Sequence, residues 1–213
     1  MKVTILYDNT AWSDDLKADW GFACLVEAYG RTILFDTGAS GPILLGNMKK
    51  MNVDPTSVDD VFISHAHWDH TGGLVDFLRV FNDLRLIVPS SCDVPGHVAR
   101  EVVSVRQQIA VADNIYSTGE LKGIEQALAV ETGKGVAIIV GCSHPGLGEI
   151  IDAASTYGNV VAVIGGLHGF NEYGMIKNLE LICATHCTQH ISGIRSLYPD
   201  RFMEGGAGRV IEL

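Results

Sequence analysis

Four potential cation ligands fall within six residues of this chain. The segment Val61-Phe-Ile-Ser-His65-Ala-His67-Trp-Asp69-His70-Thr-Gly-Gly-Leu74 carries His65, His67, Asp69 and His70. An apolar, strand-like run precedes them, and Thr71-Gly72-Gly73 leads on into a helical pattern. A buried strand must therefore end at a rim and turn at once into helix. In extended backbone, residues i and i+2 point to the same side, so His65 and His67 can grip one ion as a pair. The turn into helix then carries Asp69 and His70 toward a neighbouring ion. Imidazole suits zinc and other borderline divalent ions, while a carboxylate adds hard oxygen character. A polar loop with surface histidines is the weaker reading of this spacing.

The rest of the 213 residues offers enough chain for one domain with a sizeable core, 1–213, and too little for two comfortable ones. Apolar residues make up 47% and charged residues 19%, which excludes a disordered chain. The longest apolar stretches, Val136–Cys142 and Val160–Leu167, are far short of the roughly 20 residues of a membrane helix, so no membrane partner is expected. The first apolar run is stopped by Asp8, against a secretory signal. Five cysteines without zinc-finger spacing read as reduced thiols of a cytoplasmic protein. A formal charge of −10, with no Lys/Arg cluster beyond Lys49–Lys50, disfavours nucleic acid. A small-molecule substrate is the expected partner.

Short apolar runs predict strands at Lys2–Tyr7, Ala23–Ala28, Thr32–Phe35, Val61–Ser64, Arg85–Pro89, Val136–Gly141, Val160–Gly165 and Arg209–Leu213. Helical periodicity falls near Pro42–Met51, Leu74–Phe81, Gly146–Tyr157 and Gln189–Leu197. Strands come first in tight succession and later alternate with helices, the pattern of a layered α/β protein with helices outside packed sheets.

The motif His-x-His-x-Asp-His after a strand resembles the signature of the metallo-β-lactamase-fold superfamily, and the similarity covers nearly the whole chain. Three further motifs match: Phe35-Asp36-Thr37-Gly38, Gly141-Cys142-Ser143-His144 and Thr185-His186-Cys187-Thr188. The resemblance implies a four-layer αββα sandwich with one or two divalent metals at the sheet edge, zinc foremost and iron or manganese as alternatives. It implies His65, His67 and His144 as ligands of the first metal, and Asp69, His70 and His186 as ligands of the second. Asp36 would then support the metal loop, and Asp69 would orient the attacking water and move its proton. Together with Gly165-Gly-Leu-His168, the motifs are similar to one branch, named for the archaeal dihydropterin ribofuranosyl-aminobenzene phosphate synthase.

His168 marks a departure. Superfamily members place a metal-bridging aspartate after the strand matching Val160–Gly165, whereas this chain has no aspartate between Asp152 and Asp200. His168 stands in that place. Neutral imidazole offers one lone pair, so His168 either ligates one metal or stands beside the metals as a catalytic contact to substrate. Cys183 and Cys187 are read as core thiols.

The implied activity is a metal-dependent hydrolase that turns a metal-activated water on an ester, phosphoester or lactone-like small molecule. A pterin-linked synthase of methanopterin biosynthesis and a non-hydrolytic, iron-binding redox domain are the alternatives.

Overall fold

Alternation along the strands decides the layers. A computed structural model describes residues 1–94 and 96–213. The first sheet takes β1 (Lys2–Tyr7), β2 (Ala23–Ala28), β3 (Arg31–Phe35), β4 (Asp60–Phe62), β5 (Arg85–Pro89) and β6 (Glu101–Val105). The second takes β7 (Ile109–Ala112), β8 (Ile115–Ser117), β9 (Leu128–Thr132), β10 (Gly135–Val140), β11 (Val160–Gly166) and β12 (Leu181–Thr185). The last strand, β13 (Val210–Glu212), returns to pair with β1. Ile33 and Phe35 of β3, with Ala137 and Ile139 of β10, bury their side chains between the sheets. Their neighbours Leu34, Ile138 and Val140 face the opposite way. Period-two alternation with both faces apolar demands cover on both sides.

Helices supply that cover. Leu44 and Met48 of α1 (Gly41–Lys50) and Leu74 and Phe77 of α3 (Leu74–Val80) pack on the outer face of the first sheet. Leu147 and Ile150 of α4 (Leu147–Ala154) and Ile194 of α5 (Ile191–Leu197) cover the second. The result is the expected four-layer αββα sandwich. In its middle, Phe35 stacks on Phe62 with centroids 5.5 Å apart; full burial of such a side chain contributes about 1.5–3 kcal/mol.

Strand order places the site. The first sheet runs β13-β1-β2-β3-β4-β5-β6 and the second β12-β11-β10-β9-β8-β7. Strands β3, β4, β5 and β6 are mutually parallel, as are β10, β11 and β12. The buried Asp60 carboxylate ties β3 to β4 and β5, accepting from Arg31 at 2.6 Å and Arg85 at 2.8 Å. The chain leaves the C-terminal ends of β3, β4, β10, β11 and β12 through the segments that carry Asp36, His65, His144, His168 and His186. At the same rim, Gln126 N–H donates to Ser64 O at 2.9 Å and Gln126 Nε2 to Ile63 O at 2.9 Å, joining the sheets.

The eight expected strands are present, three of them (Lys2–Tyr7, Ala23–Ala28 and Arg85–Pro89) with the expected bounds and the others with ends moved by one or two residues; Val61–Ser64, for example, is realised as Asp60–Phe62. Strands β6, β7, β8, β9 and β12 were not expected. β6 is largely solvent-facing and β7 and β8 are only four and three residues long, so neither alternation nor a full apolar run marks them. The helix expected to end at Tyr157 closes at Ala154 and passes into a short 3-10 turn.

Candidate metal centre

Residues that leave a strand for this rim often do so with left-handed backbone. Asp36 (φ 55°), Ser143 (φ 60°), His168 (φ 44°) and His186 (φ 53°) all have positive φ. A non-glycine residue in that region stores roughly 1–3 kcal/mol of strain, typical of sites where side-chain aim matters. Glycine is needed where the loops meet: a Cβ on Gly141 would overlap the Ser64 hydroxyl and sit 3.0 Å from His65 Nδ1.

Two donor sets result. In the first, His65 Nε2 lies 3.1 Å from His67 Nδ1, and His144 Nε2 lies 3.2 Å from the same nitrogen. In the second, His70 Nε2 lies 3.2 Å from His186 Nε2, while Asp69 Oδ2 is 3.4 Å from His186 Nε2 and 3.8 Å from His70 Nε2. The short helix α2 (Trp68–Thr71) begins just after His67 and carries Asp69 and His70 to this second set. Within each set all three donor atoms lie within 4.8 Å of one another.

Hydrogen bonding alone does not account for this packing. Asp36 Oδ2 faces His70 Nδ1 at 2.7 Å, and Asn9 Oδ1 faces His186 Nδ1 at 3.0 Å. Ser64 donates its hydroxyl proton to Asp36 Oδ2 at 2.7 Å, which leaves its oxygen to accept from His65 Nδ1 at 2.9 Å. These partners assign the tautomers, putting the proton on Nδ1 of all three rings. Nε2 of His65, His70 and His186 therefore turns a lone pair inward. His67 Nδ1 faces two nitrogens but can form one good hydrogen bond. Two nitrogens about 2.0–2.1 Å from one tetrahedral ion stand about 3.3 Å apart, close to the observed 3.1 and 3.2 Å spacings. The donors present thus fit a divalent cation in each set.

Electrostatics agree. Burial holds the His65, His70 and His144 imidazoles below their ordinary pKa, and the neighbouring histidines add to the effect. All three are thereby kept neutral and able to ligate. Burial alone would raise the Asp69 carboxyl, but its polar contacts with the His186 and His70 imidazoles outweigh that and hold it low. Burial pushes the Asp36 carboxyl up to about 8 against the two hydrogen bonds from Ser64.

The Asp36 shift sets a pH prediction. Near neutral pH the cation-free Asp36–His70 pair carries one proton more than the loaded centre holds; loading a dication on His70 Nε2 expels it and leaves Asp36 ionised, accepting from His70 Nδ1. Cation affinity should then rise by up to about tenfold per pH unit between pH 6.5 and 7.5. Calorimetry in buffers of different ionisation enthalpy should register about one proton more released on loading by wild type than by Asp36→Asn. Equal release by wild type and variant would refute the assignment.

Residues outside the motifs complete the centre. Glu125 has no solvent exposure and accepts four backbone N–H bonds from the loop that presents His144. Gly141, Cys142 and Ser143 donate to Oε1 at 3.1, 2.9 and 3.0 Å, and His144 donates to Oε2 at 2.8 Å. Burial pushes this carboxyl up to about 7. Trp20 Nε1 donates to Asp69 Oδ2 at 2.8 Å, and its ring lies 5.3 Å from that of His186. Asn9 grips His186 twice, through Nδ1 and through the backbone oxygen at 2.9 Å. From inside the Gly141–His144 motif, Cys142 Sγ also reaches within 3.2 Å of His70 Nε2. Sequence signals for these are weak; Asn9 alone has one, as a polar residue just beyond the buried end of β1.

His168 is not gathered into either donor set. It is exposed, and its ring lies 5.1 Å from that of His144 on the wall of a cavity of about 490 Å³. The backbone at residue 168 is left-handed, and the ring stands beside the two donor sets, next to His144. Cys183 is a core thiol between the sheets, whereas Cys187 is not: its sulfur joins Cys142 and His186. Trp68, between ligands in sequence, is 64% exposed and lies outside the core.

Residues 21–168 match the profile described as "Metallo-beta-lactamase superfamily". Over 98% of this chain and 95% of the relative, the sequence is 26% identical to the 7,8-dihydropterin-6-methyl-4-(beta-D-ribofuranosyl)-aminobenzene-5'-phosphate synthase of Methanocaldococcus jannaschii. Among solved structures it is similar to Tm1679, a metal-dependent hydrolase of the beta-lactamase superfamily, with TM-score 0.78 and 24% identity over 100% of this chain and 99% of that one. It is also similar to YhfI, a metallo-beta-lactamase fold protein from Bacillus subtilis, with TM-score 0.73 and 14% identity over 100% and 99% of the two chains. With that fold, those motifs at its rim and a match spanning more than half its length, the chain belongs to the metallo-β-lactamase superfamily.

Proposed function

We propose that the chain is a single-domain, metal-dependent hydrolase with two cation positions, zinc foremost, acting on a neutral ester or lactone-like small molecule. One observation carries this reading: tautomer-locked imidazoles aim bare nitrogens into two adjoining donor sets, and His144 of the first set lines the cavity. Three nitrogen donors with a fourth side open suit a catalytic rather than a closed structural site. Bound there, a divalent cation supplies a water whose pKa falls from about 15.7 toward about 7, and it polarises the substrate oxygen.

The chain's own groups do the rest. Asp69, held ionised, orients the attacking water through a hydrogen bond and takes up its proton. Trp20 fixes the Asp69 carboxylate by donating to Oδ2. His168 contacts the substrate from the cavity wall. Asp36 and Ser64 keep the His65 and His70 rings in register.

The cavity lining narrows the substrate class. Lys122 is outnumbered by Glu149, Asp152 and Glu172, and Lys122 is itself paired with Glu149 at 3.1 Å. Such a wall disfavours a multiply anionic substrate. The same feature counts against a pterin-linked synthase, whose named relative carries a phosphate in its product. That relative's alignment extends over 280 positions against 213 residues here, so it includes segments this chain lacks. Full-length similarity nevertheless keeps the synthase as a second reading. An iron redox domain is the third. Five free thiols support a reducing, cytoplasmic setting.

A panel of lactones, carboxylic esters and phosphoesters, assayed on zinc-, manganese- and iron-loaded protein beside a chelated sample, tests the proposal. Expected are turnover of lactones or neutral esters and its loss on chelation. Full activity after verified metal removal overturns it. Product formation from a pterin and an aminobenzene ribofuranosyl phosphate would replace it by the synthase.

A further inference from the structure

The two donor sets lack the element that should join them. A pair of dications a few ångströms apart repel one another strongly, and a shared anionic ligand offsets that repulsion. The loop between β11 and β12 contains no aspartate, and His168 lies outside both sets. Neutral imidazole could not serve, since one lone pair serves one ion.

A sulfur stands there instead. Cys142 Sγ is 3.2 Å from His70 Nε2 and lies within 4.8 Å of both the His65 and the His70 donor atoms, one from each set. It also groups with His186 and Cys187 within the same limit. Nitrogen and sulfur on one tetrahedral zinc ion, at about 2.05 and 2.3 Å, are separated by about 3.6 Å. The end of β11 is shaped for this: a Cβ at Gly166 would come within 2.7 Å of Cys187 Sγ and 3.3 Å of Cys142 Cα. The space that a side chain on β11 would enter is filled from the Cys142 and Cys187 loops. Glu125, by accepting the Cys142 N–H at 2.9 Å, fixes the backbone from which that sulfur projects.

We propose that Cys142 is a metal ligand of this centre, supplying a thiolate shared between the two cation positions where a carboxylate would otherwise bridge them. On loading, the S–H proton leaves to solvent and sulfur–metal bonds form; no oxidation change is involved. A coordinating thiol is deprotonated outright by its cation, which overcomes the burial and the Cys187 hydrogen bond that hold the free Cys142 thiol high. The proposal rests on the two-cation reading above and adds a ligand type to it. Thiolate also shifts metal preference toward zinc and away from manganese.

X-ray absorption on the zinc-loaded, full-length protein reads the ligand directly, and cobalt substitution adds a sulfur-to-metal charge-transfer band in the near ultraviolet. Expected is a sulfur scatterer at about 2.3 Å and a cobalt band that persists in Cys187→Ser and vanishes in Cys142→Ser. The second ion should bind at least about tenfold more weakly to Cys142→Ser. Two bound ions with only nitrogen and oxygen neighbours would overturn the thiolate assignment while leaving the two-cation reading intact. A band lost in Cys187→Ser and kept in Cys142→Ser would move the ligand to Cys187 and overturn it as well. Absence of any bound metal would instead defeat the reading beneath it. If Cys142→Ser fails to fold, zinc-loaded Cys187→Ser decides: a sulfur scatterer that survives there belongs to Cys142, and its loss moves the ligand to Cys187.

Discussion

Alanine at Glu125 should lower thermal stability by at least about 3 kcal/mol, although residue 125 ligates nothing. Its side chain accepts hydrogen bonds from four consecutive backbone N–H groups, Gly141 to His144, in a fully buried position. Each buried donor left unpaired costs about 1–3 kcal/mol, partly relieved where water can enter. For a chain of this length each kcal/mol shifts Tm by about 2–4 °C, so a fall of about 6–12 °C is expected. Because the loop presents His144, and Cys142 beside it, cation affinity should fall together with Tm. Glu125→Gln is the informative partner. It keeps an acceptor for the three bonds at Oε1, turns an amide nitrogen toward His144 N–H, and removes a buried charge. Its loss should be well under half that of the alanine variant. Differential scanning calorimetry and metal analysis on both variants check this; Glu125→Ala with wild-type Tm and metal content would show that the loop holds itself.

Alanine at His65 should empty the first cation position. His65 has 1% exposure, its Nδ1 is held by Ser64, and its Nε2 is one of the three imidazole donors in the first set. Two remaining imidazoles, one of them on the exposed His67, cannot close a site around zinc. Bound metal should fall from two ions per chain to one or fewer. If hydrolysis depends on a water acidified there, turnover should drop by about 10³-fold or more, equivalent to about 4 kcal/mol of barrier. The fold should survive, since removing His65 leaves the Asp36–Ser64 and Asp36–His70 bonds in place. Inductively coupled plasma analysis alongside circular dichroism separates lost metal from lost structure. A folded variant retaining two ions would remove His65 from the first set.

What the chain makes legible follows from how far apart the interacting residues lie in it. His65, His67, Asp69 and His70 announce themselves because one strand end and one helical turn place all four within six residues. The layers are legible too, since β3 and β10 alternate cleanly between two apolar environments. Contacts made across long stretches of chain are not. Asn9 meets His186 across 177 positions and Trp20 meets Asp69 across 49. Glu125 sits in an irregular loop with no periodic context, and only the folded rim makes it a buried acceptor. For His168 the chain gives a place and not an aim: its position fits that of a ligand, yet its ring stands on the cavity wall, 5.1 Å from that of His144. Cys142 carried no spacing signal because the donors near it, His65, His70 and His186, come from two other loops.

Separate loops bring their donor atoms together as two sets at the sandwich rim. An anomalous-diffraction map of zinc-loaded crystals, collected on both sides of the absorption edge, should show two peaks, one within about 2.0–2.2 Å of His65 Nε2, His67 Nδ1 and His144 Nε2, the other at the same reach from Asp69, His70 Nε2 and His186 Nε2. Zinc bound elsewhere on the surface, with neither donor set occupied, would contradict the two-cation reading.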